Sequence, residues 1–358
     1  MMHKHSDYMH WAKTMSRARF NLATSGVGAY PLGELPSQPA MEINGDNSYG
    51  YGPLKRAIAE RHGVDPDCVV TAAGTSMANY LAFATMLEPG DHVVIERPTY
   101  QLLVDSLRYV GASLGTFRRE EQAGWAVDPD AVRRAMRPNT KLIVLTNLHN
   151  PTSVLTPEPV LREIGEIARE AGARVLVDEV YLDAVYRDTP RTSFHLGRQF
   201  VVTSSLTKIY GVSGLRCGWI LAEPDLARAA WRLNDLFAAT SVHPGELLSV
   251  EVMRNLDAVR ARTQPIVETD RSVLDEFLDR ESGVSAVRTE WGTTAFLRLR
   301  HGNVDAFAET LRAAHDTSVV PGIFFEEPGC FRIGMGVDSE MFAEGVRRLA
   351  LHLRNHVQ

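Results

Sequence analysis

One lysine in this sequence lies in surroundings that suit chemistry better than solvation. Lys208 falls within the stretch Thr203–Ile220, TSSLTKIYGVSGLRCGWI, where its immediate neighbours carry no charge. The stretch begins at the end of an apolar run, so the lysine is expected just beyond a strand. A lysine amine removed from water has a lowered pKa and becomes a nucleophile toward carbonyl groups. An exposed lysine in an ordinary loop remains the alternative on this stretch alone, since most lysines lie at the surface.

A second candidate is a turn that is able to bind phosphate. The segment AAGTSMANYLAF predicts a strand, a sharp turn at Gly74 and a helix that begins near Thr75 and Ser76. Free N–H groups at a helix N-terminus bind phosphate well. A plain helix cap is the alternative, because Ser and Thr are also preferred capping residues. A dinucleotide-binding loop is disfavoured, since no G-x-G-x-x-G follows any predicted strand.

Further polar and aromatic residues come directly after apolar runs. Tyr100 closes Pro-Thr-Tyr, Asn150 lies in N-L-H-N-P-T at 147–152, and the run ARVLVDEVY carries Asp178 and Tyr181. Taken singly, these residues are usually a core tyrosine, a turn and a solvated strand end. Their shared position, each just past a strand, makes them candidates for one site.

These candidates need a scaffold, and short apolar strands that alternate with helices predict it. Such alternation is typical of a mainly parallel sheet with helices on both faces, and ligands bind beyond the carboxyl ends of its strands. The predicted strands are 68–70, 92–95, 142–146, 174–177 and 200–203, and the predicted helices are 53–62, 77–87, 101–110 and 160–171. Beyond about Pro244 longer helices with a few strands predict a smaller α+β lobe.

The motifs together resemble those of class I/II aminotransferases, the fold-type I family of pyridoxal-phosphate-dependent enzymes. The resemblance rests on S-L-T-K at 205–208, followed by G-L-R and G-W, and on N-x-x-N-P-T. It implies an α/β fold whose large domain has a mainly parallel seven-stranded sheet sandwiched by helices, with a smaller α+β domain. The implied segments are an N-terminal arm over 1–40 that packs with the small domain, the large domain over 41–245 and the small domain over 246–358.

The resemblance also implies roles around the cofactor ring. Lys208 would form the Schiff base and then move a proton between the substrate and the cofactor. Asp178 would keep the ring nitrogen protonated, and Asn150 and Tyr181 would bond the phenolic oxygen. Tyr100 would stack on the ring.

Other implied contacts concern the phosphate and the substrate. Phosphate would be bound by the turn at 74–76 and by Ser205 and Arg216, with Tyr49 reaching the cofactor of a neighbouring subunit and Tyr51 as the fallback. That sharing implies a homodimer. Arg332, in F-R-I-G, would bind the substrate α-carboxylate together with Asn150. Ser153 stands where the family usually has glycine, which would affect the following loop but not Asn150.

Composition limits the other classes of function. A net charge of −6 gives no electrostatic reason to expect nucleic acid or an anionic membrane as a partner. Three widely spaced cysteines argue against a zinc site and favour a reducing compartment, so a cytoplasmic location is expected. The N-terminal MMHKHSDYMHW, despite its histidines, is interpreted as a mobile polar terminus.

Transamination, from an amino acid to a 2-oxo acid, is the leading functional hypothesis. Fold-type I enzymes also catalyse β-elimination, decarboxylation and cyclisation or replacement in specialised biosynthesis, so these remain alternatives. A cofactor-binding regulatory module is disfavoured, because only about forty residues precede the core and the chain is acidic.

Overall fold

The computed structural model describes residues 4–356. Its strands are β1 Phe20–Asn21, β2 Val69–Ala73, β3 His92–Arg97, β4 Ser113–Arg118, β5 Thr140–Thr146, β6 Arg174–Asp178, β7 Phe200–Ser205, β8 Cys217–Leu221, β9 Val284–Ala286, β10 Thr294–Leu299, β11 Thr317–Ser318, β12 Val320–Pro321 and β13 Cys330–Gly334. Its helices are α1 Asp7–Thr14, α2 Gly52–His62, α3 Thr75–Met86, α4 Gln101–Tyr109, α5 Pro129–Ala135, α6 Glu158–Glu170, α7 Pro224–Asn234, α8 His243–Arg254, α9 Leu256–Arg280, α10 Val304–His315 and α11 Ser339–His356. Over this range no helix is both long and apolar enough to span a bilayer.

Strands β2 to β8 form the large sheet, in the order β2-β8-β7-β6-β5-β3-β4. Neighbours pair in parallel except at β8, which runs antiparallel to β7 and to β2. The mainly parallel seven-stranded sheet predicted from the sequence is therefore confirmed. Because β3, β5, β6 and β7 point the same way, the chain leaves all four at one edge of the sheet.

Helices cover both faces of this sheet, as its continuously apolar strands require. In β5, Leu142 and Val144 point into a core shared with α3, α4 and α7, whereas Ile143 and Leu145 point into a second core shared with α5 and α6. All four side chains are at most 1% exposed. Burying one such side chain contributes about 1.5–3 kcal/mol, so both faces hold the strand in place.

The smaller lobe is built on a second, antiparallel sheet. Its strand order is β12-β13-β10-β9, and Phe296 of β10 lies opposite Arg332 of β13. Phe307 of α10, Phe331 of β13 and Leu349 of α11 are fully buried in its core. The α+β character predicted for the region beyond Pro244 is confirmed, while the segment boundaries stay a prediction.

The N-terminal region is more ordered than the sequence suggested. Ser6 caps α1 by accepting a hydrogen bond from the Met9 amide, and Tyr8 is only 6% exposed. Further along, β1 pairs in parallel with β11 of the smaller lobe. The interpretation of the terminus as a mobile polar segment is wrong from Asp7 onward, because Tyr8 is buried and Trp11 half-buried by contacts with distant parts of the chain.

Candidate active site

Most residues singled out in the sequence meet in one cavity of about 200 Å³ at the carboxyl edge of the large sheet. Those that line it are Thr75, Ser76, Tyr100, Asn150, Asp178, Tyr181, Lys208 and Arg216. Gly74 and Ser205 adjoin them, and Arg332 reaches them through Asn150. Tyr49 and its fallback Tyr51 lie elsewhere, and the Tyr51 ring packs 4.9 Å from that of His243. The residues of the cavity lie close together because the loops that follow parallel strands all lie at the same edge of the sheet.

Lys208 lies on the loop that follows β7. Its amine donates a hydrogen bond to the Ser25 hydroxyl over 2.9 Å, and its carbonyl accepts from the Val27 amide at 2.8 Å. The lysine backbone is thus fixed by the N-terminal arm. Burial lowers the pKa of the Lys208 amine because the charged form loses hydration. A lysine in this state is a better nucleophile near neutral pH than one in water.

Asp178 ends β6 and is buried. Its carboxylate accepts hydrogen bonds from the Asn79 side chain at 2.8 Å and from the Val180 amide at 3.1 Å. Asn79 is in turn oriented by the Thr203 hydroxyl, which donates to its carbonyl oxygen at 2.5 Å. Burial raises the pKa of Asp178 to about 6, although both hydrogen bonds act in the opposite direction. The carboxylate is therefore held in one orientation but lacks a strong compensating cation.

An anion-binding turn lies at the start of α3. Gly74 has φ +79°, and a Cβ atom there would overlap the Arg216 guanidinium. The Thr75 hydroxyl donates to Ser205 Oγ at 2.7 Å, and Thr207 also bonds that oxygen at 2.7 Å. Within the described chain Arg216 donates only to the carbonyl oxygens of Ala73 and Ser213, so its charge faces no acid. Hydroxyls, helix amides and a guanidinium in one place suit a phosphate.

Asn150 and Arg332 join the two lobes beside this cavity. The backbone N–H of Asn150 donates to the Thr146 hydroxyl at 3.0 Å, and the side-chain oxygen of Asn150 accepts from Arg332 Nη1 at 3.0 Å. Tyr181 lies close by and is 5% exposed, and burial raises its pKa. The peptide bond before Pro151, a candidate for cis geometry from its turn context, is trans; the cis bonds within residues 4–356 precede Pro98 and Leu148.

Ser153, at the position where the family usually has glycine, has φ +62°. Its hydroxyl donates to the Thr294 carbonyl oxygen at 2.8 Å. A left-handed backbone is uncommon for serine, and this hydrogen bond to β10 offsets part of its strain. The loop thus keeps a glycine-like conformation and leaves Asn150 in the cavity wall.

Tyr100 and Tyr49 differ in placement. Tyr100 lines the cavity, where its ring meets the edge of Tyr8 at 5.5 Å and its hydroxyl donates to Met9 Sδ at 3.5 Å. Tyr49 is 47% exposed and donates to Asp235 at 3.3 Å, away from the cavity of its own protomer. Its role at a neighbouring subunit stays a prediction.

Sequence reasoning missed several residues of the site. Tyr8, Met9 and Ser25 come from the N-terminal arm, and no local pattern distinguishes them from other polar or apolar residues in a loop-rich segment. Asn79 gave a detectable signal, since an amide one turn into an apolar helix requires a partner. His149 also has a structural function: its ring bonds Thr152 Oγ1 at 2.6 Å and the Pro98 carbonyl at 2.9 Å.

A lysine and a buried acid beside an anion-binding turn, on a seven-stranded α/β sheet, define the fold-type I class of pyridoxal-phosphate enzymes. The family model of aminotransferase class I and II matches residues 37–349, and the chain belongs to this family. It is a pyridoxal-phosphate-dependent aminotransferase, a class whose members take an amino acid and a 2-oxo acid as substrates.

Individual relatives are similar along almost the whole chain. A capreomycidine synthase from Streptomyces vinaceus is 29% identical over 96% of this chain and 92% of its own length. An aspartate aminotransferase from Streptomyces avermitilis is 27% identical over 94% of this chain and 90% of its own. The crystal structure of a PLP-dependent aminotransferase from Streptococcus suis superposes with a TM-score of 0.93 at 27% identity, covering 99% of each chain.

The side chains of the cavity fit pyridoxal phosphate. The turn at Gly74 and the unpaired Arg216 suit its phosphate, and the buried Asp178 gains a partner from a protonated ring nitrogen. That cation would offset the burial that raises the pKa of this acid. Lys208 opens onto the same cavity, so one bound cofactor is able to meet all of these groups.

Proposed function

We propose that this enzyme transfers an amino group from an amino acid to a 2-oxo acid, with Lys208 as the lysine that carries the cofactor. One observation supports this most directly: the Lys208 amine and the Asp178 carboxylate line the same cavity. Bound pyridoxal phosphate supplies a ring that withdraws electrons from the substrate's α carbon. Asp178 holds the proton on the ring nitrogen, which preserves this withdrawal.

The remaining proton transfer falls to Lys208. With its amine free and neutral, Lys208 would take the proton from the substrate α carbon and return it to C4′ of the cofactor. The lowered pKa favours this base, since the amine loses its own proton more readily than a lysine in water. Tyr181 and Asn150 would hold the phenolic oxygen of the cofactor, and Tyr100 would stack on its ring.

Arg332 binds the substrate α-carboxylate in this proposal. The residue is fully buried, and its guanidinium contacts only neutral acceptors, Asn150 and Tyr8. Its Nε has no acceptor within residues 4–356. A buried cation without an anion is unfavourable, and a carboxylate would supply the missing charge.

The enzyme is further proposed to be a homodimer that works in the cytoplasm. Apolar side chains are exposed on two adjoining segments, which the Asn47 side chain links by donating to the Ser241 carbonyl at 2.9 Å. Those more than 45% exposed are Met41, Ile43, Tyr49, Leu236, Phe237 and Val242. A second copy would cover this surface and receive Tyr49 at its phosphate site. The three buried, unpaired cysteines are compatible with a reducing compartment.

A spectroscopic experiment tests the reaction and the lysine together. Amino donors are added one at a time to the cofactor-loaded protein, and transamination predicts loss of the lysine-bound cofactor's visible band, restored by a 2-oxo acid. The Lys208→Ala variant is expected to lose both this band and turnover. Lys141→Ala, which removes an exposed lysine of β5, should keep both. A Lys208→Ala protein that retained colour and turnover would exclude this assignment.

A second candidate is another reaction of the same cofactor on an amino acid. Its support is the similarity to a relative named as a synthase of capreomycidine, which covers as much of the chain as the similarity to the aspartate aminotransferase. The donor panel separates the two. Release of ammonia, pyruvate or carbon dioxide, or formation of a cyclised product, without conversion of a 2-oxo acid would favour this candidate over transamination.

A further inference from the structure

The guanidinium of Arg332 is paired with an unexpected residue of the N-terminal helix. Arg332 Nη2 donates to the Tyr8 hydroxyl at 3.1 Å, while Nη1 donates to Asn150. The guanidinium carbon also lies 6.0 Å from the centre of the Tyr8 ring and 5.1 Å from that of Phe325. Tyr8 therefore adjoins the group proposed to bind the substrate carboxylate.

Contacts with both lobes fix the position of Tyr8. Its amide donates to the Gln101 side chain at 3.0 Å, at the start of α4 in the large lobe. Its ring packs 5.6 Å from Phe324 and 6.2 Å from Phe325, both in the smaller lobe. One turn further, Trp11 packs on Phe324 at 5.4 Å. Helix α1 thus lies across the junction of the lobes, and Tyr8 is the residue it directs to Arg332.

The Tyr8 hydroxyl has an unused donor. It accepts a hydrogen bond from Arg332, and no acceptor for its own proton is present within residues 4–356. A phenol is able to accept and donate at once. A carboxylate bound to Arg332 would lie near this hydroxyl and would be the natural acceptor of its proton. The free donor and the unpaired Arg332 Nε both indicate an anionic ligand at the same place.

We propose that Tyr8 is a positioning residue for the substrate, whose hydroxyl donates a hydrogen bond to the α-carboxylate held by Arg332. This inference rests on the proposed function of Arg332. Because Tyr8 is carried by α1, the carboxylate also becomes a contact between the substrate and this helix. Substrate binding is then expected to stabilise α1 against both lobes.

The test measures binding of a carboxylate that is unable to react. 4-Methylpentanoate, which has no amino group, is titrated by calorimetry into the cofactor-loaded enzyme and its Tyr8→Phe variant. Loss of one hydrogen bond to a charged group is expected to raise its dissociation constant about tenfold or more. KM for the best amino donor should rise by a similar factor, with kcat nearly unchanged. Tyr109→Phe, a half-exposed tyrosine at the end of α4, is the matched control.

Hydrogen exchange of the α1 amides gives a readout that a purely structural tyrosine would not change. The carboxylate should slow exchange over α1 in the wild type and in Tyr109→Phe, but much less in Tyr8→Phe. The Arg332→Gln variant separates the proposed role of Tyr8 from the proposed role of Arg332 on which it rests. If Arg332→Gln weakens binding and Tyr8→Phe changes neither the dissociation constant nor KM, the role of Tyr8 is overturned. If neither substitution has an effect, the proposed carboxylate site itself is wrong.

Discussion

Three ionisable side chains of the site are left with incomplete electrostatic compensation. Burial raises the pKa of Asp178 and lowers that of Lys208, and within residues 4–356 the guanidinium of Arg332 donates only to the neutral acceptors Asn150 and Tyr8. For Asp178 and Lys208 the shift means that the charged form is costlier in the protein alone than in water, while Arg332 is a buried cation without an anionic partner among the described residues. A cationic ring nitrogen and an anionic carboxylate would supply the two missing counter-charges. The site is therefore better satisfied with cofactor and substrate than without them.

Substitutions of Asp178 and of its neighbour Glu179 should have clearly different effects on turnover. Asp178→Asn removes the negative charge that holds the ring nitrogen protonated, so kcat is expected to fall about a hundredfold or more. Glu179 instead accepts from the Ser193 amide at 2.8 Å and hydroxyl at 2.6 Å, outside the cavity lining. Glu179→Gln should therefore keep near-normal turnover in steady-state assays. Equal losses in both variants would contradict the assignment to Asp178.

Glu179 should instead control part of the pH dependence of stability. Burial raises its pKa from 4.5 to about 7, so its ionised form is disfavoured in the folded state. The stabilising effect of its proton is complete below about pH 4.5 and is lost as the pH rises through 7, a change of about 3 kcal/mol at most. Melting temperatures between pH 5 and pH 8 should therefore fall less steeply for Glu179→Gln than for the wild type. Identical slopes would show that the carboxyl ionises freely.

At the scale of elements, short turns decide where the functional groups lie. The turn before α3 needs glycine for both its positive φ and the space taken by Arg216. The loop after Asn150 also contains a residue with positive φ, Ser153, whose hydroxyl bonds the Thr294 carbonyl of β10. Two turns with a positive φ are thus formed by different residues, and the first leaves no room for a side chain.

Gly74→Ala should weaken cofactor binding through this lack of room. An alanine there would bear about 1–3 kcal/mol of backbone strain and displace the Arg216 guanidinium from the phosphate turn. The dissociation constant for pyridoxal phosphate is expected to rise tenfold or more. Gly63→Ala is the control for an alanine at positive φ elsewhere in the chain, because Gly63 has φ +63° and ψ +43° and has open space at its Cβ. Equal affinities in the two variants would exclude a role for the Arg216 contact.

The elements differ in how far the sequence could predict them. Strand β5 is predictable from its short continuous apolar run, and helix α6 because its apolar residues follow the helical period. The outer strand β4 has a mixed, partly exposed pattern, and nothing local distinguishes it from a loop. Helix α7 was missed although Pro224 at its start and its buried Trp231 gave a usable signal. Helix α1 depends on contacts with residues more than ninety positions away, which no local pattern contains.

The residues of the site also differ in how far the sequence predicts them. Lys208 and Asn150 lie in motifs whose residue types and spacing are specific, so the amino-acid sequence alone is enough to predict them. Ser25 lines the cavity and Tyr8 bonds Arg332 beside it because the N-terminal arm contacts both lobes. Such residues depend on tertiary contacts, and a single sequence carries no record of them.

At the scale of the whole molecule, the arm and the loops connect the lobes around the cavity. The Val27 amide bonds the Lys208 carbonyl, and the hydroxyl of Ser153 bonds the Thr294 carbonyl of the smaller lobe. The exposed apolar segments around Tyr49 lie outside these connections and remain uncovered in a single protomer. A second copy is the partner that would both cover them and use Tyr49.

Co-expression of two defective subunits should test this sharing of sites. Lys208→Ala removes the amine from its own subunit, and Tyr49→Ala is expected to impair the phosphate site of the partner subunit. A mixed dimer would then hold one site with both defects and one site with neither, so activity should recover to a substantial fraction of the wild-type value. If Tyr49 served its own protomer, each site of the mixed dimer would keep one defect and no activity would return. Tyr109→Ala, which removes another exposed tyrosine, should be active alone and serves as the control, while size-exclusion chromatography verifies that the mixed species is a dimer.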